Sequence, residues 1–261
     1  MAETVEQNAP EKTEKQLKKE AKRQKRREKN QKKWAKQYRL LFPTNKKGKH
    51  IVPKINFLRC IGYPIHSFVY PFKLYGFNKA PDGACIYVGN HYCLWDIFYP
   101  AHTTREGIHF MAKQSILEAP VLGWWARKIG VIGAMRDGSD VRTLMDAMKA
   151  LKHGEKISIF PEGTRNKVSD EEFLPFHGGA ALLAIKTKTP VIPFAICNRP
   201  HVFRRTNVIF GEPMELTEYY DRKLTSADYE EAEEKLKNRI YELREELRAF
   251  FAKYEKKGKK K

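Results

Sequence analysis

His91 and Asp96 stand five residues apart in the stretch Asn90-His91-Tyr92-Cys93-Leu94-Trp95-Asp96. An imidazole can take the proton of an alcohol, and a carboxylate that accepts its other ring N–H fixes the tautomer. Five helical steps would put the two side chains on different faces. They meet if His91 is on a loop and Asp96 lies in the first turn of the helix that follows. The apolar run Ala84-Cys85-Ile86-Tyr87-Val88, bounded by Gly83 and Gly89, reads as a buried strand leading into His91. Open α/β sheets hold their ligands at such strand ends. With eight His and eight Asp in the chain, a pair at this offset arises by chance roughly one time in four. Alone, it fits a core or surface histidine near a helix N-terminus equally well.

A second constellation follows another expected strand. Ile157-Ser158-Ile159-Phe160 runs into Pro161-Glu162-Gly163-Thr164-Arg165-Asn166. A glycine permits close backbone approach to a ligand, and Thr and Arg bind phosphate oxygens, Arg through a planar fork. Two strand ends of one sheet would bring this loop and His91 to a common edge.

The pattern around these residues alternates strand and helix. Expected strands are Ile108–Ala112, Val131–Met135, Lys156–Phe160 and Val191–Ile196, with Val208–Phe210 as an edge strand. Helices are expected over Val121–Ile129, from a Ser139 cap to Lys152, and over Gly179–Lys186. In the second, Val141, Leu144, Met145, Met148 and Leu151 form one apolar face and Gly154 follows its end. Thr225, with Asp228 three residues on, opens a long amphipathic helix to about Tyr254. The fold class is therefore α/β: a single mixed sheet flanked by helices, with an N-terminal helical membrane-associating segment and a long C-terminal helix. The expected segments are a basic tail (1–42), an apolar helical segment (43–78), an α/β domain (79–224), the C-terminal helix (225–255) and a Lys-rich end (256–261).

Composition places the charge. The net charge is +19, yet residues 1–39 hold 14 Lys and Arg against six Glu, and residues 256–261 hold five Lys. The body between is only moderately basic. Trp34, Tyr38 and Leu41 recur at helical spacing among Lys32, Lys33, Lys36 and Arg39, which suits an anionic membrane surface. RNA contact is a weaker reading of the same charges, and a solvated tail is a third. Ile51 to Phe77 is apolar and aromatic but interrupted. Its stretch Cys60–Phe72 is broken by Pro64 and Pro71, so no spanning helix is expected. The polar N-terminus has no apolar core of a secretory leader. Cys60, Cys85, Cys93 and Cys197 form no Cys-x-x-Cys pair and read as reduced thiols, with neither disulfide framework nor zinc site.

Together, His91-x4-Asp96 with Asn90 before it, and Phe160-Pro161-Glu162-Gly163-Thr164-Arg165, resemble the glycerolipid acyltransferase family, which includes 1-acylglycerol-3-phosphate acyltransferases. Gly130-Val131-Ile132-Gly133-Ala134-Met135-Arg136 looks like the family's glycine-to-arginine block, Val191-Ile192-Pro193 like its proline block, and Ala112-Lys113 like its basic position. The resemblance covers residues 84–196. Two positions depart from it: Cys93 stands where Ser is frequent, and His177-Gly178 stands where a Lys commonly follows the position of Phe176.

The resemblance implies acyl transfer from a thioester, acyl-CoA or acyl carrier protein, to the sn-2 hydroxyl of lysophosphatidic acid, giving phosphatidic acid in phospholipid biosynthesis. It implies no cofactor and no metal. His91 is the implied base, oriented by Asp96. Arg165, Arg136 and Lys113, with Gly163 and Thr164, are the implied phosphate site. Asn90 and Glu162 support it. Apolar groups of residues 115–135 line an acyl groove or pack the core. The implied place of work is the cytoplasmic face of a membrane, peripheral or monotopic. Glycerol 3-phosphate, another lysophospholipid, or an inactive membrane- or RNA-binding role are the alternatives.

Overall fold

The computed structural model of the chain describes residues 62–134, 141–177 and 179–258, with the isolated positions 22 and 25. Contacts divide the chain into Met1–Leu40 and Leu41–Lys261, and the elements that carry the site lie in the second unit. Trp34, Tyr38 and Leu41 of the basic arm, Cys60, Arg136 and the Ser139 cap lie outside the described residues.

Seven strands form one mixed sheet, in the order β1-β7-β6-β2-β5-β3-β4. They are β1 (Phe72–Gly76), β2 (Ile86–Gly89), β3 (Ile108–Lys113), β4 (Ile132–Ala134), β5 (Lys156–Ile159), β6 (Val191–Ile196) and β7 (Thr206–Phe210). Strands β2 to β6 are mutually parallel, so their C-terminal ends share one edge. β7 runs antiparallel to β6, and β1 runs parallel to β7. The central strands β2, β5 and β6 are buried along their whole length, as parallel strands covered on both faces must be. Register puts Val88 opposite both Ile159 and Pro193. The chain therefore leaves β2 and β5 side by side, His91 from one and Phe160 to Arg165 from the other.

The helices are α1 (Tyr63–Val69), α2 (Phe98–Thr103), α3 (Gln114–Glu118), α4 (Leu122–Lys128), α5 (Val141–Lys152), α6 (Gly179–Thr187) and α7 (Ser226–Gly258). In α7 the buried apolar residues are Ala232, Leu236, Ile240, Leu243 and Leu247, one stripe at helical spacing. It starts as expected: Thr225 N–H and its hydroxyl both donate to Asp228, and Asp228 N–H reaches back to the hydroxyl. The core beneath centres on Tyr87, Tyr99, Phe110, Phe194 and Phe210.

Three expectations are corrected. Phe72–Gly76, placed in the apolar helical segment, is a strand, because its backbone finds an open sheet edge beside β7. Val208–Phe210 is therefore no edge: β7 is paired on both sides. The buried face of α5 is Thr143, Asp146, Ala147, Ala150 and Leu151, while Val141 and Met145 face solvent. Small residues, not methionines, let that helix lie close to the sheet.

Candidate active site

β2 ends under the ring of Phe194, where a Cβ on Gly89 would come within 2.6 Å of three ring carbons. Only glycine passes there. Asn90 follows, fully buried, with Nδ2 donating to Ile196 O (3.1 Å) and Oδ1 accepting from Ile196 N–H (2.8 Å). That pair welds the end of β2 to the end of β6 and fixes where His91 leaves the sheet.

A 3₁₀ turn, Leu94–Ile97, carries Asp96 and leads into α2. Asp96 Oδ2 accepts His91 Nδ1–H (2.8 Å), Tyr92 N–H (2.6 Å) and Cys93 N–H (2.7 Å), and Oδ1 accepts the Cys93 thiol (3.1 Å). The carboxylate is fully buried. Two backbone N–H donors already on Oδ2 make that oxygen an acceptor, so Nδ1 is the ring nitrogen that carries a proton towards it, and in the neutral ring this leaves the lone pair on Nε2. Nε2 has no partner among the described residues. The ring stacks on Phe160 at 4.2 Å, which sets its plane. Burial, and then the charge of Asp96, pushes the Cys93 thiol up to about 12, so it stays protonated and donating.

The 160s loop is tied to His91 from both sides. His91 N–H donates to Glu162 Oε1 (2.8 Å), and His91 O accepts Asn166 N–H (2.7 Å). Glu162 is buried, its other oxygen takes Leu174 N–H (3.0 Å), and burial raises its pKa despite those two amides. It serves as a backbone clasp. Between the two ties, Gly163 (φ +61°), Thr164 and Arg165 arch outward, all exposed. The left-handed Gly163 is what turns the arch. Arg165 makes no hydrogen bond or ion pair among the described residues. Lys113 ends β3 on the same edge, half-buried. It sits two strands from β2, about 10 Å at strand spacing. β4 also ends at that edge, two residues before Arg136. His177 packs beside Gly163, 3.3 Å from where its Cβ would stand.

Of residues 115–135, Leu117, Ala126, Val131 and Ile132 are core, while Val121, Leu122, Trp124 and Trp125 are exposed. Sequence reasoning gave no role to Asn166 or Phe160. Asn166 is buried and bonds Glu172 O and the amides of Val168 and Ser169, besides His91. Its only sequence signal is its place after Arg165. Among the described residues no helix is long and apolar enough to cross a membrane, and the free cysteines are Cys85, Cys93 and Cys197.

A mixed sheet whose parallel strands carry a His–Asp pair and an arginine loop at their C-terminal ends defines a class, and comparison gives it a likeness: residues 71–197 match the model of the acyltransferase family. Its particular likenesses are to 1-acyl-sn-glycerol-3-phosphate acyltransferases. It is 36% identical over 135 residues to a chloroplastic one of Brassica napus, covering 49% of this chain and 38% of that protein. It is 29% identical over 164 residues to that of Borreliella burgdorferi, covering 57% of this chain and 64% of the relative. The crystal structure of the 1-acyl-sn-glycerophosphate acyltransferase of Thermotoga maritima shares the fold, with TM-score 0.59 and 23% identity over 74% of this chain and 79% of that one. The matched stretch spans 38% of the length of the Brassica napus relative and 43% of that of a chloroplastic one of Arabidopsis thaliana.

Proposed function

We propose that this chain moves a fatty acyl group from a thioester donor to the sn-2 hydroxyl of lysophosphatidic acid, at the cytoplasmic face of an anionic membrane as a peripheral or monotopic protein. The observation that carries this reading is the His91 imidazole with Nδ1 locked on Asp96 and Nε2 left open. It stands on the sheet edge that also presents Arg165, which has no hydrogen bond or ion pair among the described residues.

In this mechanism Nε2 takes the proton of the acceptor hydroxyl as its oxygen attacks the thioester carbonyl. The imidazolium that forms is stabilised by Asp96. Collapse of the tetrahedral intermediate breaks the carbon–sulfur bond, and the imidazolium returns its proton to the departing thiolate. Arg165 and Lys113, with Arg136, hold the acceptor phosphate, Arg through its fork. Backbone N–H groups near Gly163 and Thr164 are candidates for the oxyanion. Every step uses the chain's own side chains and backbone amides and the two substrates. The donor is acyl-CoA or acyl carrier protein. The likenesses to named lysophosphatidate acyltransferases support the acceptor.

The test is an acceptor panel (lysophosphatidate, glycerol 3-phosphate, neutral lysolipids) with acyl-CoA or acyl carrier protein, following thiol release for wild type and H91A. Wild type is expected to favour lysophosphatidate, and H91A to lose about 10²–10⁴-fold. No thiol release with any acceptor overturns the reading and favours a binding role.

A further inference from the structure

The turn joining β6 to β7 leaves the sheet at the His91 edge, because Ile196 is bonded to Asn90. Its tip is Val202-Phe203, exposed at 51% and 66%, followed by exposed Arg204 and Arg205. Phe203 has φ +57°, a left-handed conformation that glycine and asparagine adopt far more readily than an aromatic residue. It is held there by its N–H, which donates to Val69 O at 2.8 Å. Phe68 of α1, 74% exposed, meets the Phe203 ring edge-on at 5.8 Å, and Ile65 lies one turn earlier. Leu94 and Trp95, exposed on the turn that carries Asp96, join this surface through the Tyr70–Trp95 ring contact at 5.7 Å. The side chains of Arg204 and Arg205 make no hydrogen bond or ion pair among the described residues.

We infer that this surface is the chain's seat on an anionic lipid bilayer, with Val202 and Phe203 as a wedge below the headgroups and Arg204 and Arg205 on the phosphates. Two observations select a bilayer as the occupant. Unpaired guanidiniums directly beside a narrow apolar tip match phosphate above hydrocarbon. The apolar surface also continues to Trp95, next to Asp96, so a docked bilayer lies where a lipid acceptor would enter. The left-handed backbone leaves the Phe203 ring largely exposed, with Phe68, itself exposed, as its ring partner. The inference rests on the acyl-transfer reading only for the direction of acceptor entry.

Sedimentation of the full chain with sucrose-loaded vesicles tests it, using phosphatidylcholine alone and phosphatidylcholine with phosphatidylglycerol. V202S/F203N is expected to lower binding to the anionic vesicles at least about tenfold. Its melting temperature should stay equal or rise, since Asn suits the left-handed position. R204Q/R205Q is expected to weaken binding at low salt and not at high salt. Short-chain, monomeric lysophosphatidate is expected to be acylated equally by wild type and V202S/F203N. Wild-type binding by both variants overturns the inference. So does a fall in melting temperature without loss of vesicle binding, which would mean that the chain itself covers the tip. Variant-sensitive binding with no acyl transfer to any acceptor leaves this surface standing and removes the catalytic reading.

Discussion

At the scale of single residues, the site is a problem of holding one proton in place. Asp96 accepts four hydrogen bonds, and the weakest donor is the Cys93 thiol. Cys93 is also the residue that caps the 3₁₀ turn, a position where Ser is preferred. C93S is therefore expected to raise stability by about 0.5–1 kcal/mol, read by urea unfolding, with activity unchanged or higher. C93A removes the donor and is expected to lower kcat/KM about five- to tenfold. If C93A matches wild type in kcat/KM, the thiol does not steady Asp96. D96N is the sharper change. Its amide N–H₂ would face donors, and the imidazole would lose the partner that selects Nδ1–H. A fall of about 10²-fold or more in kcat is expected, with the pH profile displaced; a wild-type profile would exclude Asp96 as the orienting group. His91, Asp96 and the 160s loop were legible because residue type and strand-end position are local. Asn90 to Ile196 and Asn166 to His91 were not, because each depends on a register set by residues far along the chain.

At the scale of elements, two helices carry buried titratable groups whose effects oppose each other. His66 of α1 is fully buried among Phe72, Phe98 and Tyr99, and neither ring nitrogen has a hydrogen-bond partner. Burial, and then His102, lowers its pKa to about 3. The unfolded chain takes up that proton near pH 6.5 and the folded chain does not. Stability is therefore full above 6.5 and falls as pH drops toward 3, by about 1.4 kcal/mol per unit. Glu233 of α7 is buried against the start of α6, with one oxygen on Ala181 N–H (2.9 Å) and the other unpartnered. Burial raises its pKa to about 7. The folded chain keeps that proton longer, so its contribution is full below the unfolded value near 4.5 and is lost as pH rises to 7. Between about pH 5 and 6.5 the two slopes cancel. E233Q should uncover the His66 slope and lose stability on acidification, whereas H66F should uncover the Glu233 slope and gain it. Urea unfolding at pH 5 and 6.5 reads both; two flat profiles would show that neither group titrates on folding. β1 went unread for a related reason. Phe72–Gly76 becomes a strand only because β7, more than a hundred residues later, offers it an edge. α7, by contrast, announces itself through its Thr225–Asp228 cap and apolar stripe, both local.

At the scale of the molecule, the basic arm and the apolar tip lie far apart along the sequence, and binding can be taken apart accordingly. Residues 1–39 hold 14 of the chain's 50 Lys and Arg, interspersed with only six Glu, and Trp34, Tyr38 and Leu41 close that stretch. Near an anionic surface each such charge is worth on the order of 1 kcal/mol at low salt, and much less once salt screens it. The β6–β7 tip is mainly apolar, and its contribution should persist as salt rises. Deleting residues 1–42 is therefore expected to weaken sedimentation with phosphatidylglycerol-containing vesicles by several tenfold steps at low salt and only slightly at high salt. V202S/F203N should weaken it at both. The combined variant should release the chain from vesicles while leaving acylation of a monomeric short-chain acceptor intact, since neither change touches His91, Asp96 or Arg165. Unchanged vesicle binding after the deletion would remove the basic arm from membrane attachment and leave the whole of it to the rest of the chain.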